Sequence, residues 1–326
     1  MSQTSVLYDA PGPRQRRVTL ISSILAVVVL AVGGYFLVYR PLDTNGQFTM
    51  ELWGPLVDPT NESFTLVWQR LGTGFLRTLT AAALAIVTSL IFGTVLAILR
   101  IQLKHLSKRR FPGLAAPVAY LLRGLNLFLT ALTRVCVEVF RGLPVVLTIF
   151  FVARGLPAYG ISLDTLTYLV IGLTIYNMVV IAEILRSGME GLPGGQGEAA
   201  VAIGLSSMQT TRMILLPQAF RIMLPALISQ LVVVLKDTSL GFIISYEETL
   251  NIGKQIIGAL GNPIQVYVII GVMFIVVNYS LSKLAQYVQK RLAQGRKSKN
   301  TPAPPTPSAA LISQAEAGGG GVAAGV

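Results

Sequence analysis

The sequence has few of the residues that soluble enzymes use for redox chemistry, metal binding or acid–base catalysis. Cys136 is its only cysteine and His105 its only histidine. These single residues exclude a disulfide framework, a thiolate metal site and a histidine cluster, and we expect Cys136 to be a small buried hydrophobe. The motifs GxxxxGK followed by Ser or Thr, GxSxG and HExxH do not occur either. The sequence therefore predicts a non-catalytic chain that binds no metal, nucleotide or other cofactor itself.

Charge is also scarce, because Asp, Glu, Lys and Arg make up only 12% of the chain against 53% hydrophobic residues. A mean hydropathy of +0.66 is far too high for a soluble domain of this length, so the sequence predicts an all-α polytopic membrane protein. Basic residues outnumber acidic ones by 26 to 14 and stand in short clusters beside apolar runs. This arrangement is typical of membrane topology with anionic lipid as a neighbour, and we expect no nucleic-acid partner.

About six apolar runs are long enough to span a bilayer. They cover residues 18–39, 75–99, 135–157, 164–185, 222–245 and 264–284. The first run could instead be a signal peptide, but it ends in aromatic residues and Arg40 without an Ala-x-Ala cleavage site. The strongly basic segments all fall on one side of this arrangement, which predicts a multi-pass membrane protein with both termini cytoplasmic.

The domain organisation follows from these runs and from the composition between them. We expect a cytoplasmic tail (1–17), an extra N-terminal transmembrane helix (18–39), an external loop (40–68), a core (69–292) and a disordered Pro-, Ala- and Gly-rich cytoplasmic tail (293–326). Within the core, residues 112–133 are predicted to form an amphipathic elbow on the inner surface that leads into the single span 135–157.

Arg134, Glu138 and Arg141 are spaced so that they share one helix face, where the carboxylate can pair with either guanidinium. Gly142 and Pro144 are expected to deform the helix just beyond them. The three charges can be a structural ion pair at the membrane interface or can belong to a substrate path. The residues alone leave both interpretations open.

The polar stretch 189–217 interrupts the apolar core and includes the sequence EAAVAIGLSSMQTTRMILLP. Glu198 is predicted in the first turn of a short helix, after Pro193 and nearby glycines end the preceding one. Gly204 permits a sharp turn, Ser206 or Ser207 can cap a second short helix, and Pro217 is expected to start the next membrane segment. This structure is a connecting loop or a knob that fits the cleft of a partner.

Lys236 and Asp237 lie inside the fifth predicted span, where each charge costs a few kcal/mol. Adjacent residues on a helix point about 100° apart, so each charge needs another partner, a water-filled cavity or a ligand. Thr238 and Ser239 can assist by bonding the local backbone. A substrate path that binds a zwitterion and a buried structural pair are both consistent with these residues.

Five segments in order resemble the polar amino acid permeases of ABC importers. They are residues 138–144 (EVFRGLP), 182–188 (AEILRSG), 191–200 (GLPGGQGEAA), 216–222 (LPQAFRI) and 235–240 (LKDTSL), and the similarity runs from about 71 to 292. The polar stretch matches the EAA signature of these permeases at Glu198, Ala199, Ala200, Gly204, Ile214, Leu216 and Pro217. Leu143 and Gly194 depart from the residues common in the family.

The resemblance implies a type I importer transmembrane domain whose EAA loop is a coupling helix docked on an ATPase. It implies two ATPase copies that bind ATP and Mg, a second permease subunit, identical or related, and an external amino-acid-binding protein. Lys236, Asp237, Thr238 and Ser239, with Glu138 and Arg141, become candidates for the substrate path. The resemblance favours import of a polar amino acid such as glutamate or glutamine.

Two other classes of function remain at this point. An ion-coupled secondary transporter would use Lys236, Asp237 and Glu138 as proton-linked groups and predicts inverted repeats, which the sequence does not show. A membrane scaffold without transport leaves the intramembrane Lys and Asp unexplained. Dependence on an ATPase separates the importer from both.

Overall fold

A computed structural model describes residues 12–107 and 115–294, with side chains through residue 291, and these residues are helical with no strand. The α-helices are α1 (Pro13–Gly34), α2 (Arg40–Thr44), α3 (Met50–Val57), α4 (Phe64–Ser107), α5 (Ala116–Gly142), α6 (Val145–Ala158), α7 (Thr165–Glu190), α8 (Gly195–Ala202), α9 (Ser207–Gln209), α10 (Leu216–Asp237), α11 (Thr249–Leu260) and α12 (Pro263–Gln294). The predictions for residues 1–11, 108–114 and 295–326 lie outside the described residues.

Six helical segments within the described residues are long and apolar enough to cross a membrane, as the sequence predicts. They are Pro13–Thr44, Phe64–Ser107, Ala116–Gly142, Thr165–Glu190, Ser207–Ile244 and Pro263–Arg291. Most extend beyond the predicted apolar runs, because polar residues at the ends continue the helix. The all-α polytopic class is confirmed.

The third span differs from its prediction. Residues 135–157 are not one helix, because α5 ends at Gly142 and α6 begins at Val145, with extended backbone at Leu143 and Pro144 between them. The predicted elbow is also wrong in its boundary, since α5 continues past Thr133 and Arg134 without a break. Cys136 lies on this helix and is exposed, contrary to the prediction that it is buried.

The first helical segment packs on none of the other long helices. α1 has no buried residue, and α1 and α2 are joined by a π-helical turn over Tyr35–Tyr39. The ring of Tyr39 stacks on Tyr35 and on Phe48, with centroids 5.7 and 5.5 Å apart. A helix that is apolar on every side, with no buried stripe, is suited to lipid around its whole circumference.

The centre of the bundle is the parallel pair α4 and α7. A Cβ added to Gly93 would lie 2.8 Å from Ile181 Cγ2, so glycine allows the two helices to approach closely. The hydroxyls of Thr88 and Thr174 hydrogen-bond across the same contact at 2.6 Å. α10 runs antiparallel to α7, and the Gln230 amide donates to Asn177 Oδ1 at 2.7 Å. This core fixes the helices that carry the candidate sites.

The segment predicted as the external loop 40–68 is largely helical, which corrects that prediction. Residues 40–44 continue the first helical segment, α3 covers Met50–Val57, and residues 64–68 already belong to α4. The connection between the fifth and sixth predicted spans also contains a helix. Glu248 caps α11, whose Ile252 packs on Leu71 of α4. Because α4 is 44 residues long, α3 and α11 lie at its opposite end from α8.

Candidate functional site

The polar stretch folds into a short helix after α7. Gly191 caps the C-terminus of α7, Pro193 follows, and α8 runs from Gly195 to Ala202. Glu198 lies in the first turn of α8, as predicted, where a carboxylate interacts favourably with the helix dipole. Ala200 is buried, whereas Glu198 and Ala199 are exposed. This helix therefore presents the carboxylate outward on a small-residue surface.

Gly204 makes the turn that follows α8. Its φ of +85° lies in the left-handed region that favours glycine. Leu205 N donates to Ala200 O at 3.0 Å, which closes the turn. Ser206 then caps α9 with a capping box, because Gln209 N donates to its hydroxyl and its own N donates to Gln209 Oε1. The predicted turn and cap are both confirmed.

We call α8, the turn at Gly204 and α9 the knob. Its second helix, α9, is not a separate element, which corrects the prediction of two short helices before the next span. α9 continues through a π-helical turn over Thr210–Leu215 into α10. Ile214 lies in that turn, and Leu216 and Pro217 begin α10 without a break. The result is one helical arm, Ser207–Ile244, that joins the knob to the intramembrane charges.

Apolar side chains surround the knob. Val201 and Ile203 are 68% and 75% exposed, and Met213 on the π-helical turn is 66% exposed. An exposed group of large apolar residues next to an exposed carboxylate is typical of a protein contact surface. A cavity of about 860 Å³ separates α8 from the ends of α4 and α7. The sequence gives Val201 and Ile203 no distinction from core residues, because only their exposure reveals them.

The intramembrane charges lie where the arm changes its helix type. Lys236 and Asp237 are the last residues of α10, and Thr238–Ile244 is a 3₁₀ helix. Thr238 is fully buried and its hydroxyl donates to Leu235 O at 2.6 Å. Ser239 donates to Lys236 O at 2.7 Å. Both hydroxyls thus bond carbonyls freed at the helix end, as their position beside the charges suggests.

Lys236 opens onto a cavity of about 570 Å³ between α10 and α12. Ser239, Tyr267 and Asn278 line the same cavity, together with aliphatic and aromatic side chains. Asn278 Oδ1 is buried and has no hydrogen-bond partner among the described residues. Lys236 forms no ion pair with any described carboxylate, and Asp237 does not line this cavity. The two adjacent charges therefore face different surroundings.

The charges on α5 are not brought to this cavity. Arg134, Glu138 and Arg141 are exposed, and among the described residues none of them forms an ion pair. The pairing predicted for Glu138 is therefore absent from this structure. Within the same residues, no group of three or more His, Cys, Asp or Glu side chains could hold a metal ion.

The comparison with known proteins settles the family. A model described as the binding-protein-dependent transport system inner membrane component matches residues 113–294. The chain belongs to this family. It is 37% identical to the glutamate transport system permease protein GluD of Corynebacterium glutamicum, over 79% of this chain and 86% of that protein. It is 34% identical to the probable glutamine ABC transporter permease protein GlnP of Bacillus subtilis, over 71% and 96% of the two chains.

Solved structures share the fold of this family member. A chain of an amino acid ABC transporter crystallised with histidines superposes with a TM-score of 0.57 at 23% identity, covering 70% of this chain and 97% of that one. A chain of the methionine ABC transporter MetNI in an inward facing conformation gives 0.53 at 18% identity, over 72% and 99%. The fold is that of a type I ABC importer transmembrane domain, as the resemblance implies.

Proposed function

We propose that this family member is the permease subunit of a binding-protein-dependent ABC importer that moves a polar amino acid across the bacterial plasma membrane. The names of the relatives support glutamate and glutamine as the first substrates to test. ATP hydrolysis on a partner ATPase drives the movement, with ATP and Mg bound by that partner. The permease itself has no catalytic step.

The observation that carries this proposal is the continuous arm Ser207–Ile244. The arm has 38 residues, and at 1.5 Å per residue the part from Ser207 to Lys236 spans roughly 44 Å. A displacement imposed on α8 by an ATPase is passed on through the π-helical turn, on which α8 packs. Helices move as rigid bodies in such transitions, so closure of an ATPase dimer changes the surroundings of Lys236.

The proposed assembly contains four kinds of partner. Two ATPase copies dock on the EAA loops, where Glu198, Ala199, Ala200, Gly204, Ile214, Leu216 and Pro217 form or support the docking surface. A second permease subunit, identical or related, completes the pathway, and an external binding protein delivers the amino acid. Membrane lipid surrounds the bundle, and both termini lie in the cytoplasm.

The cavity between α10 and α12 supports a substrate that carries a carboxylate. Lys236 is its only charged lining residue, and the hydroxyl of Ser239 and the buried Oδ1 of Asn278 add polar groups. Lys236 is exposed at this cavity and pairs with no described carboxylate, so a bound anion can pair with its ammonium group. Asp237, Thr238, Glu138 and Arg141 stay candidates for other stages of the path.

The test is uptake of labelled glutamate and glutamine into proteoliposomes that contain the permease, its ATPase and its binding protein. We expect ATP-dependent uptake that is lost in Glu198→Arg and Gly204→Asp, because the first reverses the exposed charge and the second strains the turn. The ATPase should no longer co-purify with either variant. Uptake that persists without the ATPase and follows an ion gradient would instead establish secondary transport.

Two matched control variants distinguish a loss of ATPase docking from a general loss of folding. Glu51→Arg also reverses a carboxylate in the first turn of an eight-residue helix, α3. Gly46→Asp also places a side chain on a glycine with positive φ, +65°. Both lie far from α8, so both should still co-purify with the ATPase. A loss of ATPase binding in these controls would contradict the assignment of the knob.

A further inference from the structure

Five charged side chains link α4 to α7 at the end of the bundle that carries α8. Arg100 and Lys104 lie one turn apart on α4, and Glu183, Arg186 and Glu190 lie on successive turns of α7. The N···O distances are 2.6 Å for Arg100–Glu183, 2.5 Å for Arg186–Glu183, 2.6 Å for Arg186–Glu190 and 2.7 Å for Lys104–Glu190. Positive and negative charges alternate, and we call this set the α4–α7 ion chain.

The ion chain is more than a group of surface pairs. Its side chains are 17% to 30% exposed except for Lys104 at 55%. An isolated surface pair contributes little, but members of a network restrict one another and so lose less entropy per contact. Arg186 uses Nε and Nη2 toward Glu183 and Nη1 toward Glu190. Only a planar guanidinium can bond both carboxylates in this way.

The ion chain continues a contact that is already close inside the bundle. Gly93 permits the backbone of α4 to approach Ile181, and buried Ala97 and Leu185 pack in the same cluster. The same apolar cluster includes Ile101 and Met189, which lie on the last turns beside the ion chain. The ion chain adds polar contacts between α4 and α7 that reach Glu190, the last residue of α7.

The knob rests on the start of the helical arm. α8 packs mainly against the π-helical turn at Thr210–Leu215. Gln102 of α4 holds this part of the arm, because its Nε2 donates to Thr211 Oγ1 at 2.9 Å and its Oε1 accepts from Ser207 Oγ at 3.0 Å. The 860 Å³ cavity separates it from α4 and α7, and Lys104 and Glu190 line that cavity. Only residues 191–194, with two glycines and one proline, connect α7 to α8. The ion chain lies at the α7 end of residues 191–194, where α7 is held against α4.

We propose that the α4–α7 ion chain stays closed throughout the transport cycle and keeps α4 and α7 as one rigid body. The displacement of α8 then moves α10 and does not separate α4 from α7. Glu183 and Arg186 are positioning residues for coupling and bind neither ATPase nor substrate. This inference rests on the proposed function, because it assumes that α8 is displaced by an ATPase.

The first test compares uptake with ATP hydrolysis in proteoliposomes of the complete complex. We expect Glu183→Gln to lower uptake per ATP hydrolysed about tenfold, which is within the usual size of a coupling effect. ATPase co-purification should stay at the level of the parent. Arg186→Lys retains the positive charge but loses the guanidinium that bonds both carboxylates, so it should lower uptake per ATP hydrolysed less than Glu183→Gln does. Arg291→Gln removes a positive charge from the last turn of α12 and is the matched control.

The second test asks whether the ion chain opens during transport. Arg100→Cys with Glu183→Cys, in a Cys136→Ser background, places two thiols across the α4–α7 contact. A short, reducible bis-methanethiosulfonate reagent should restore uptake per ATP, and dithiothreitol should abolish that rescue. Cross-linked protein that hydrolyses ATP but does not transport would overturn the proposal, because α4 and α7 must then separate.

The outcomes also distinguish this inference from the proposed function. If the parent shows no ATP-dependent uptake, the importer itself is refuted. If the parent transports, the Glu198→Arg variant does not, and Glu183→Gln keeps the parental ratio, then only the role of the ion chain is refuted. If Glu183→Gln does not insert into the membrane, the Arg186→Lys ratio and the cross-linker rescue decide the question.

Discussion

At the residue scale, Glu248 shows how a buried carboxylate can be retained by a helix terminus. Its side chain is fully buried and accepts hydrogen bonds from Leu250 N and Asn251 N, both at 2.8 Å. Burial raises the pKa of Glu248 to about 7, although the two backbone hydrogen bonds act in the opposite direction. Its neighbour Glu247 behaves in the opposite way, because Arg77 lowers the pKa of that exposed carboxyl.

These pKa shifts predict opposite effects of pH on stability. Because the folded-state pKa of Glu248 is raised, folded protein keeps a proton that the unfolded chain releases above about pH 4.5, and stability falls as pH rises toward 7. Glu248→Gln has no charge to bury but loses one of the two acceptor oxygens of the cap. Its thermal midpoint relative to the parent should therefore be higher at pH 8 than at pH 5. The gain is on the order of 3 kcal/mol, from about 1.4 kcal/mol per pKa unit.

Glu247→Gln is the control for this prediction. The lowered pKa of Glu247 stabilises the folded protein above the ordinary carboxyl pKa, and that contribution is lost as pH falls. Glu247→Gln should therefore lower the thermal midpoint at pH 8 and have less effect at acid pH. A Glu248→Gln difference that is the same at pH 5 and pH 8 would contradict a buried, titrating Glu248.

At the scale of single elements, the sequence predicts long helices well and short ones poorly. The spans follow from apolar runs, and the helix ends around α8 follow from Pro193, Gly204 and Ser206, whose backbone preferences are local. The short helices α3 and α11 escape such an analysis, because their half-apolar faces resemble a loop between spans. The continuous α5 agrees with the absence of Gly and Pro near Thr133, and the break occurs instead at Pro144.

The isolation of α1 predicts that this element contributes nothing to the stability of the rest of the bundle. A protease site inserted between Thr44 and Asn45 would allow the segment to be cut after insertion into the membrane. Gln47 must stay, because its backbone oxygen accepts hydrogen bonds from Trp53 and Gln265. The Tyr39–Phe48 stacking and the hydrogen bond from Gln47 N to Leu42 O cross this cut. Both rings are about half exposed, so we expect the thermal midpoint of the cut protein to lie close to that of the uncut protein.

A cut on the other side of this connection provides the contrast. After cleavage between Asp58 and Pro59, α3 is held to the bundle by its packing on α4 and α12 and by hydrogen bonds to its backbone. Asn262 donates to Leu52 O and Trp68 Nε1 donates to Leu56 O. Leu56 of α3 is buried in the apolar cluster with Leu71 and Ile252. The thermal midpoint should fall after the cut between Asp58 and Pro59 and should change little after the cut between Thr44 and Asn45. A fall after the cut at residue 44 would show that α1 packs on the bundle.

At the scale of the whole molecule, the sequence reveals residue types and not the contacts between distant helices. Glu183 and Arg186 are recognisable as a pair because they are three residues apart on one helix. Arg100 and Lys104 join them across more than 80 residues of chain, 83 from Glu183 and 86 from Glu190, which no periodicity can show. The same limit applies to the arm Ser207–Ile244, whose continuity depends on a π-helical turn that local propensities do not predict.

That continuity predicts communication between the knob and Lys236. A Lys236→Cys variant in a Cys136→Ser background should react with an impermeant methanethiosulfonate added from outside. Trapping ATP on the partner ATPase should change this rate about tenfold, because the proposed closure changes the surroundings of Lys236 and coupling energies are of this size. Glu198→Arg should remove the response to ATP, since the ATPase no longer docks on α8 and cannot displace the arm.

Phe48→Cys, beside α3, is the control, and its reaction rate should not depend on nucleotide. A Lys236→Cys rate that ignores ATP in an actively transporting complex would show that the arm does not carry the movement.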